Sequence, residues 1–281
     1  MARTVIIPAH NEELVLRENL DSLLSGLAEE VSVIVVCNGC TDDTISIARS
    51  FGPRVTVLVA DEASKTNALN RADDVSDAGP RAYIDADVVI TGADVDQLLD
   101  AVDDGSTCLA EPTSVFETSG SSWAVRAYYA VWLSLHGGEP GDVGGGVYCL
   151  SAEGRARFQA FPTVISDDGY VRWQFSPSEI RRLDTATSRV LTPTDIGSLV
   201  RIKTRSAMGT AQLKQRFPEL KEKRQTSSRT LSKKASTLPL RTWPLVPFYV
   251  VVQLAVKVRA ARFGRKEEFT WERDLSSRDG R

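Results

Sequence analysis

Two carboxylates separated by one small residue, Asp85-Ala86-Asp87, follow the short apolar run Arg81-Ala82-Tyr83-Ile84. Side chains two residues apart on an extended chain project to the same side. Placed at the end of a buried strand, such a pair can share a hard divalent cation, Mg2+ or Mn2+, which prefers oxygen ligands and commonly bridges phosphates. A second acidic pair, Asp167-Asp168, lies between Thr163-Val164-Ile165-Ser166 and Tyr170-Val171-Arg172. Mutual repulsion or partial burial raises the pKa of one member of such a pair towards the working pH, which suits a general base. The same Ser-Asp-Asp also suits a helix N-cap. His10 and His136 are the only histidines in the chain, so the proton-accepting role falls more naturally on a carboxylate.

These groups need elements that bring them together. Thr4-Val5-Ile6-Ile7 is a β-branched run that stops at Pro8, and Ala9-His10-Asn11-Glu12-Glu13 leads into a helical pattern carrying Leu14, Leu20, Leu23, Leu24 and Leu27. A second run, Val31 to Val36, ends in Cys37-Asn38-Gly39-Cys40-Thr41-Asp42-Asp43-Thr44, where Asn38-Gly39 signals a turn and Thr41 to Thr44 a helix cap. A third, Val55 to Val59, precedes a helix around Asn67 to Ala72, and the fourth delivers Asp85 and Asp87. Strand and helix alternate four times before residue 90, which predicts a parallel sheet covered by helices on both faces. Ligands of such sheets bind beyond the carboxyl ends of the strands. Pro8 to Glu12, Cys37 to Thr41 and Asp85 to Asp87 all fall there and are expected to converge on one site.

Taken in order, Ile6-Ile7-Pro8-Ala9-His10-Asn11-Glu12-Glu13, Val35-Val36-Cys37-Asn38-Gly39-Cys40-Thr41-Asp42-Asp43-Thr44, Lys65-Thr66-Asn67-Ala68-Leu69-Asn70 and Asp85-Ala86-Asp87 resemble the ordered motifs of the family 2 glycosyltransferases, which have the GT-A fold. They cover about the first third of the chain. The resemblance implies a Rossmann-like α/β domain with a mostly parallel central sheet, a nucleotide-sugar donor, a divalent metal and inversion at the anomeric carbon. It assigns Pro8, Ala9, His10, Asn11, Glu12, Asn38 and Lys65 to the donor, Asp87 to the metal, and Asp85 to the ribose or a metal-bound water. It makes Asp168 the base, with Asp167 beside it. The chain departs from the family where relatives carry an aspartate pair that meets the nucleotide base. Those positions read Cys37 and Asn38, and only the amide oxygen of Asn38 can accept an imide N–H there.

Cys37-Asn38-Gly39-Cys40 carries a second reading, a redox pair or half of a zinc site. Cys108 and Cys149 stand alone and no second Cys-x-x-Cys follows, so that chemistry lacks its remaining ligands. Gly144-Gly145-Gly146 lets backbone approach a bound sugar on the acceptor side, and His136 precedes a Gly-rich loop there; an exposed loop histidine is the plainer alternative. Arg201, Lys203 and Arg205 are candidates for the pyrophosphate. Arg172-Trp173 resembles part of the Gln-x-x-Arg-Trp of processive synthases, but Gln174 follows it, which favours transfer of a single sugar.

The net charge of -3 conceals an asymmetry. From residue 201 onward there are 20 Lys/Arg and 7 Asp/Glu; taken from the totals of 34 and 37, this leaves 14 and 30 before it. An acidic body with a basic tail does not suit a nucleic-acid-binding core, and it suits an anionic membrane surface. In the tail, Trp243-Pro244-Leu245-Val246-Pro247-Phe248-Tyr249 leads into Val250 to Val256, flanked by Arg241, Lys257, Arg259, Arg262, Arg265 and Lys266. The apolar run is shorter than the ~20 residues that span a bilayer. It suits either a helix lying in the membrane interface or one packed on the domain.

The sequence thus predicts a catalytic domain over residues 1–200 and a basic extension over 201–281. The first strand begins within a few residues of Met1, so the body is expected in the cytoplasm, peripheral on the membrane's cytoplasmic face. The expected activity is metal-dependent, inverting transfer of one sugar to a hydroxyl, plausibly on a lipid-linked or cell-surface glycan precursor. The alternatives are a sugar nucleotidyltransferase, which needs a Gly-rich basic loop after the first strand, and a non-catalytic membrane-associated scaffold.

Overall fold

A computed structural model describes residues 2–103, 105–136, 145–223 and 238–263. Gly144, the loop after His136 and the polar stretch Gln225 to Thr230 lie outside the described residues, as do Arg265 and Lys266.

The four predicted strands form as expected. β1 (Thr4–Ala9) lies between β2 (Ser32–Asn38) and β4 (Arg81–Ile84), and β2 pairs with β3 (Thr56–Ala60), all in parallel. They are joined through α1 (Leu16–Leu24), α2 (Thr44–Arg49) and α3 (Lys65–Val75). Leu14, expected on the buried face of the first helix, is exposed. The chain turns at Glu12, whose carbonyl accepts from the amides of Val15 and Leu16, so the helix starts later and buries Leu16, Leu20 and Leu23 instead.

Beyond β4 the chain adds β5 (Val88–Ile90), α4 (Gly92–Asp103), β6 (Leu109–Glu117), α5 (Trp123–His136), β7 (Val147–Leu150), α6 (Ala152–Arg155), α7 (Asp167–Arg172) and β8 (Ile180–Leu191). The eight strands form one sheet in the order β3-β2-β1-β4-β7-β6-β8-β5. This half is mixed rather than parallel, because β7 runs antiparallel to both β4 and β6. A reversed β7 begins where β4 ends, and this sets Gly146 beside Asp85, whose amide donates to the Gly146 carbonyl at 2.8 Å.

Alternation along β2 sends Val33, Val35 and Cys37 into one core, with Leu16, Leu20 and Leu99, and Ile34 and Val36 into the other, with Leu69 and Tyr83. Each such buried aliphatic side chain contributes about 1.5–3 kcal/mol. Under the second core, Asp73 of α3 accepts from Arg81, Tyr83 and Arg155, tying α3 to β4 and α6.

The C-terminal part is helical. α8 (Ile196–Arg216) runs across position 200 and is followed by α9 (Pro218–Lys223) and α10 (Val246–Phe263). Val252 and Val256 of α10 are buried against a cluster that includes Val125, Tyr128 and Tyr129 of α5 and Leu199 of α8.

Candidate active site

The first two strand-end loops are sewn to each other. Pro8 and Ala9 still belong to β1 and are buried, and the chain turns at His10 and Asn11, which holds a left-handed φ of 54°. Asn11 Oδ1 accepts from the Thr41 amide at 2.6 Å, a local bond of the kind that lets Asn tolerate this conformation. His10 Nδ1 lies 2.6 Å from the Asn38 carbonyl oxygen, so Nδ1 carries the proton. Asn38 Nδ2 donates to the Ala9 carbonyl at 2.9 Å, and the Glu12 amide donates to Thr44 Oγ1 at 2.6 Å.

Cys37 is fully buried in the apolar core, so the family's aspartate position contributes no group to the cleft in this chain. Asn38 is buried as well, and its Oδ1 has no hydrogen-bond partner among the described residues. Cys40 donates to the Ala9 carbonyl at 3.5 Å, and its hydrogen bond with Cys37 lowers its pKa to about 7. All four cysteines are free, and no group of three or more His, Cys, Asp or Glu residues suited to a metal occurs among the described residues. The zinc reading therefore finds no ligand set there.

The centre of the site is Lys65, the first residue of α3, where Ser64 Oγ caps the helix by accepting from the Asn67 amide. Its Nζ lies 2.6 Å from Asp85 Oδ1 and 2.9 Å from Asp167 Oδ2. The second contact is an ion pair that falls outside hydrogen-bond geometry, since Asp167 Oδ2 has no hydrogen-bond partner among the described residues. Burial opposes the Lys65 charge, but Asp167, Asp85 and Asp168 outweigh it and raise the pKa. Asp85, half-buried, is pushed up to about 6 by burial, with Lys65 opposing and Asp167 and Asp87 adding to the shift. Asp87, two residues further on, is exposed.

Asp168 opens α7. Its Oδ1 accepts from the Ser166 hydroxyl at 2.8 Å and the Gly169 amide at 2.7 Å. Burial alone would raise its pKa, but Arg172, Lys65 and these two donors hold it below the ordinary carboxylate value. This corrects the expectation of a raised base: Asp168 is shifted down, and the carboxyl shifted up is Asp85. Ser166, at the N-cap position, makes no side-chain cap bond and serves Asp168 instead.

Gly145 and Gly146 are close to this centre. Gly146 has φ +68°, and a Cβ on it would stand 2.9 Å from Asp85 Oδ2; one on Gly145 would overlap Ser114 Oγ at 1.8 Å. The close approach these glycines permit is to the protein's own side chains. His136 ends α5 with its ring edge-on to Trp132, centroids 5.5 Å apart. Lys203, a pyrophosphate candidate, instead sits 3.8 Å over the Trp132 ring, and the exposed Arg201 donates to Ser198 Oγ. Arg205 lies on α8 one turn before Gly209, whose Cα side meets Ser166, so it shares the face turned towards the Asp168 loop.

Sequence reasoning missed three residues. Arg172, considered only as part of a synthase motif, lies one turn beyond Asp168 and pairs with the buried Glu111 at 2.7 Å. The i to i+4 spacing of Asp168 and Arg172 was the available signal. Glu111 had none, because its role depends on β6 lying beside α7. Tyr148 buries its hydroxyl without a hydrogen-bond partner among the described residues; burial and the nearby Asp167 raise its pKa.

The donor set fits a hard divalent cation: oxygen-only ligands, Asp87 open to solvent and Asp85 behind it. Two carboxylates leave most of a cation's coordination positions to water and to phosphate, the usual arrangement for Mg2+.

Comparison with known proteins agrees with this architecture. The model of glycosyl transferase family 2 matches residues 4–146. An uncharacterized glycosyltransferase of Rickettsia prowazekii is 34% identical over 67 residues, 24% of this chain and 21% of the relative. A 4,4'-diaponeurosporenoate glycosyltransferase of Staphylococcus aureus is 36% identical over 102 residues, 35% of this chain and 27% of the relative. The chain thus matches about a quarter of the length of these curated relatives. Among solved structures, a Pyrobaculum calidifontis mannosyltransferase in complex with GDP-Man and Mn2+ superposes with a TM-score of 0.67 at 17% identity, covering 95% of this chain and 88% of its own. Glucosyl-3-phosphoglycerate synthase of Mycobacterium tuberculosis gives 0.54 at 22%, covering 76% and 79%. At these identities the two share the fold, which is GT-A. With the family model spanning more than half its length, the chain belongs to glycosyl transferase family 2.

Proposed function

We propose that this chain transfers one sugar, with inversion, from a nucleotide-sugar donor to a hydroxyl on a lipid-linked or cell-surface glycan precursor, with Mg2+ or Mn2+ as cofactor. The observation that carries the reading is the meeting at Lys65 of carboxylates from two elements, Asp85 at the end of β4 and Asp167 at the start of α7. Asp168 stands beside the second and Asp87 beside the first. Catalytic work is assigned to residues 1–200 and a surface role to 201–281, on the cytoplasmic face of a membrane.

Asp87, supported by Asp85, would hold the cation, which when bound neutralises the departing diphosphate as a Lewis acid. Asp168 accepts the proton of the acceptor hydroxyl as that oxygen attacks the anomeric carbon opposite the leaving group. Its lowered pKa keeps it ionised at neutral pH, and Ser166 and Gly169 fix its orientation. Arg172 holds a positive charge beside it, itself anchored by Glu111. The Pro8 to Glu12 loop, with Asn38 behind it, receives the nucleotide. A nucleotidyltransferase reading lacks support, since the loop after β1 carries neither a glycine nor a lysine or arginine.

Isothermal titration with a panel of UDP-, GDP- and TDP-sugars, with and without Mn2+, tests the reading. Metal-dependent binding of at least one donor, lost in Asp87→Ala, is expected. A protein that binds no donor in either condition is not a transferase of this kind.

A further inference from the structure

α10 has two unlike faces. On one, Val252 and Val256 are buried and Gln253 Nε2 donates to Tyr128 Oη at 3.1 Å and Tyr249 Oη at 2.9 Å. Tyr249 stacks on Tyr128 with centroids 5.1 Å apart. On the other, Val250, Leu254 and Val258 recur at four-residue steps with Val251 beside them, 46%, 55%, 53% and 62% exposed. That spacing makes one apolar stripe along the helix. Trp243 in the turn before α10 and Trp123 at the start of α5 are exposed as well, and Trp123 lies 6.0 Å from Phe248 at the head of α10. Lys257 and Arg262 border the stripe, Arg259 lies beyond it, and α10 carries no acidic residue.

We infer that this belt is a docking surface for an anionic lipid bilayer, with α10 lying in the plane of the interface. The charge is complementary: exposed cations sit at the margins of the apolar stripe, where headgroup phosphates lie when the stripe enters the acyl boundary. Each such cation is drawn to an anionic leaflet within a Debye length of its surface, so the attraction weakens as salt is raised. Trp123 and Trp243 have the amphipathic rings that partition to headgroup depth. Residues Leu240–Arg262 are long and apolar enough to span a bilayer. Spanning would strip Val252, Val256 and Gln253 from α5, uncovering Tyr128 on the body and carrying the Gln253 amide into lipid without its Tyr128 partner, whereas an in-plane helix keeps those contacts. The inference stands apart from the transfer reaction, because it uses no residue of the site around Lys65.

The test is co-sedimentation of the full chain with phosphatidylcholine vesicles and with vesicles containing a quarter phosphatidylglycerol. Binding to the anionic vesicles is expected, weakening as salt is raised, with quenching of tryptophan emission by brominated acyl chains. Val251→Glu/Leu254→Glu, which changes exposed positions alone, should bind at least tenfold more weakly with an unaltered melting temperature, and Lys257→Glu/Arg262→Glu should lose the preference for anionic lipid. Equal binding of the wild type and Val251→Glu/Leu254→Glu overturns the inference. So does sedimentation velocity without lipid showing a dimer that Val251→Glu disperses, which would make the belt a contact between copies. Protection of Trp243 from acrylamide in lipid-free protein also overturns it, by giving the belt to another segment of this chain.

Discussion

The Lys65 ammonium sits 2.6 Å from Asp85 Oδ1, within the carboxylate pair proposed to take a divalent cation. The same ammonium reaches Asp167, so one positive charge links the end of β4 to the start of α7. The Asp167 side chain is only 6% exposed, and removing one partner of a buried pair typically costs ~3–5 kcal/mol. Asp85 is 35% exposed, which puts the expected cost of Lys65→Met nearer the lower figure. A cation entering beside Asp85 restores positive charge, and a ligand that binds only the folded state stabilises it. Lys65→Met should therefore melt well below the wild type without metal, and Mn2+ should raise its melting temperature by more than it raises that of the wild type. Equal Mn2+ shifts in thermal melts would show that Lys65 and the cation do not share this site.

Asp168→Asn separates catalysis from structure. Asn retains Oδ1 for the Ser166 hydroxyl and the Gly169 amide, so the opening of α7 is preserved. It cannot accept a proton. Loss of a positioned base typically costs about 10²–10⁴-fold. Turnover should fall by that much with the donor dissociation constant unchanged, while the melting temperature drops modestly because Arg172 and Lys65 favour the charge that Asn lacks. Steady-state kinetics on identified substrates, alongside calorimetric donor binding, reads both quantities, and a near-normal turnover would move the base elsewhere.

What was legible in the sequence was periodic or local. β1 to β3 are short β-branched runs and β4 a short apolar one, and they formed close to where the pattern put them because such side chains fit a pleated, buried surface, although β1 runs on through Pro8 to Ala9. Asp85, Asp87 and Asp168 were legible because a strand end and a helix start fix their direction. The reversed β7 was not, since a run such as Val147 to Leu150 carries no mark of its partner or its direction. Without that reversal the contact of Gly146 with Asp85 could not be read either. The direction of the Asp168 shift was missed for a related reason. The neighbouring acid is visible in sequence, whereas the charge of Arg172 and the Ser166 hydroxyl act only once α7 has formed.

Glu179 provides a pH test away from the site. It accepts from the Arg157 guanidinium at 2.5 Å and from the Ser176 hydroxyl and amide at 2.7 and 2.8 Å. The Arg157 hydrogen bond, then those from Ser176, bring its pKa down to about 2 against opposing desolvation. A carboxyl depressed in the folded state stabilises it above the unfolded value, near 4.3, and that stability is lost as pH falls through the folded value. Denaturant melts should show wild-type stability falling between about pH 5 and pH 2. Glu179→Gln should be less stable at neutral pH and fall less over that window. Parallel curves for the two proteins would mean that the Arg157 contact does not persist in solution.

Asn38 distinguishes this chain from relatives with aspartate at that position, and its geometry predicts that restoring the acid does harm. Nδ2 donates to the Ala9 carbonyl, which positions the Pro8 to Glu12 loop, while Asn38's own carbonyl oxygen holds His10. Asn38→Ala removes the first bond and the longer one from Nδ2 to the Val36 carbonyl at 3.4 Å but leaves His10 held and Cys40 still donating to the Ala9 carbonyl, so it should cost about 1 kcal/mol, the net worth of an ordinary hydrogen bond. Asn38→Asp sets a carboxylate oxygen against that carbonyl in a site closed to water, where an unpaired charge is disfavoured further. The acid form can donate a proton to Ala9 and relieve the clash. Asn38→Asp should therefore be less stable than Asn38→Ala at pH 7 and recover relative to it by pH 5. Urea melts at the two pH values, run with donor titrations, read the effect. An aspartate variant as stable as wild type at pH 7 would show that this position opens to solvent and can meet a nucleotide base directly.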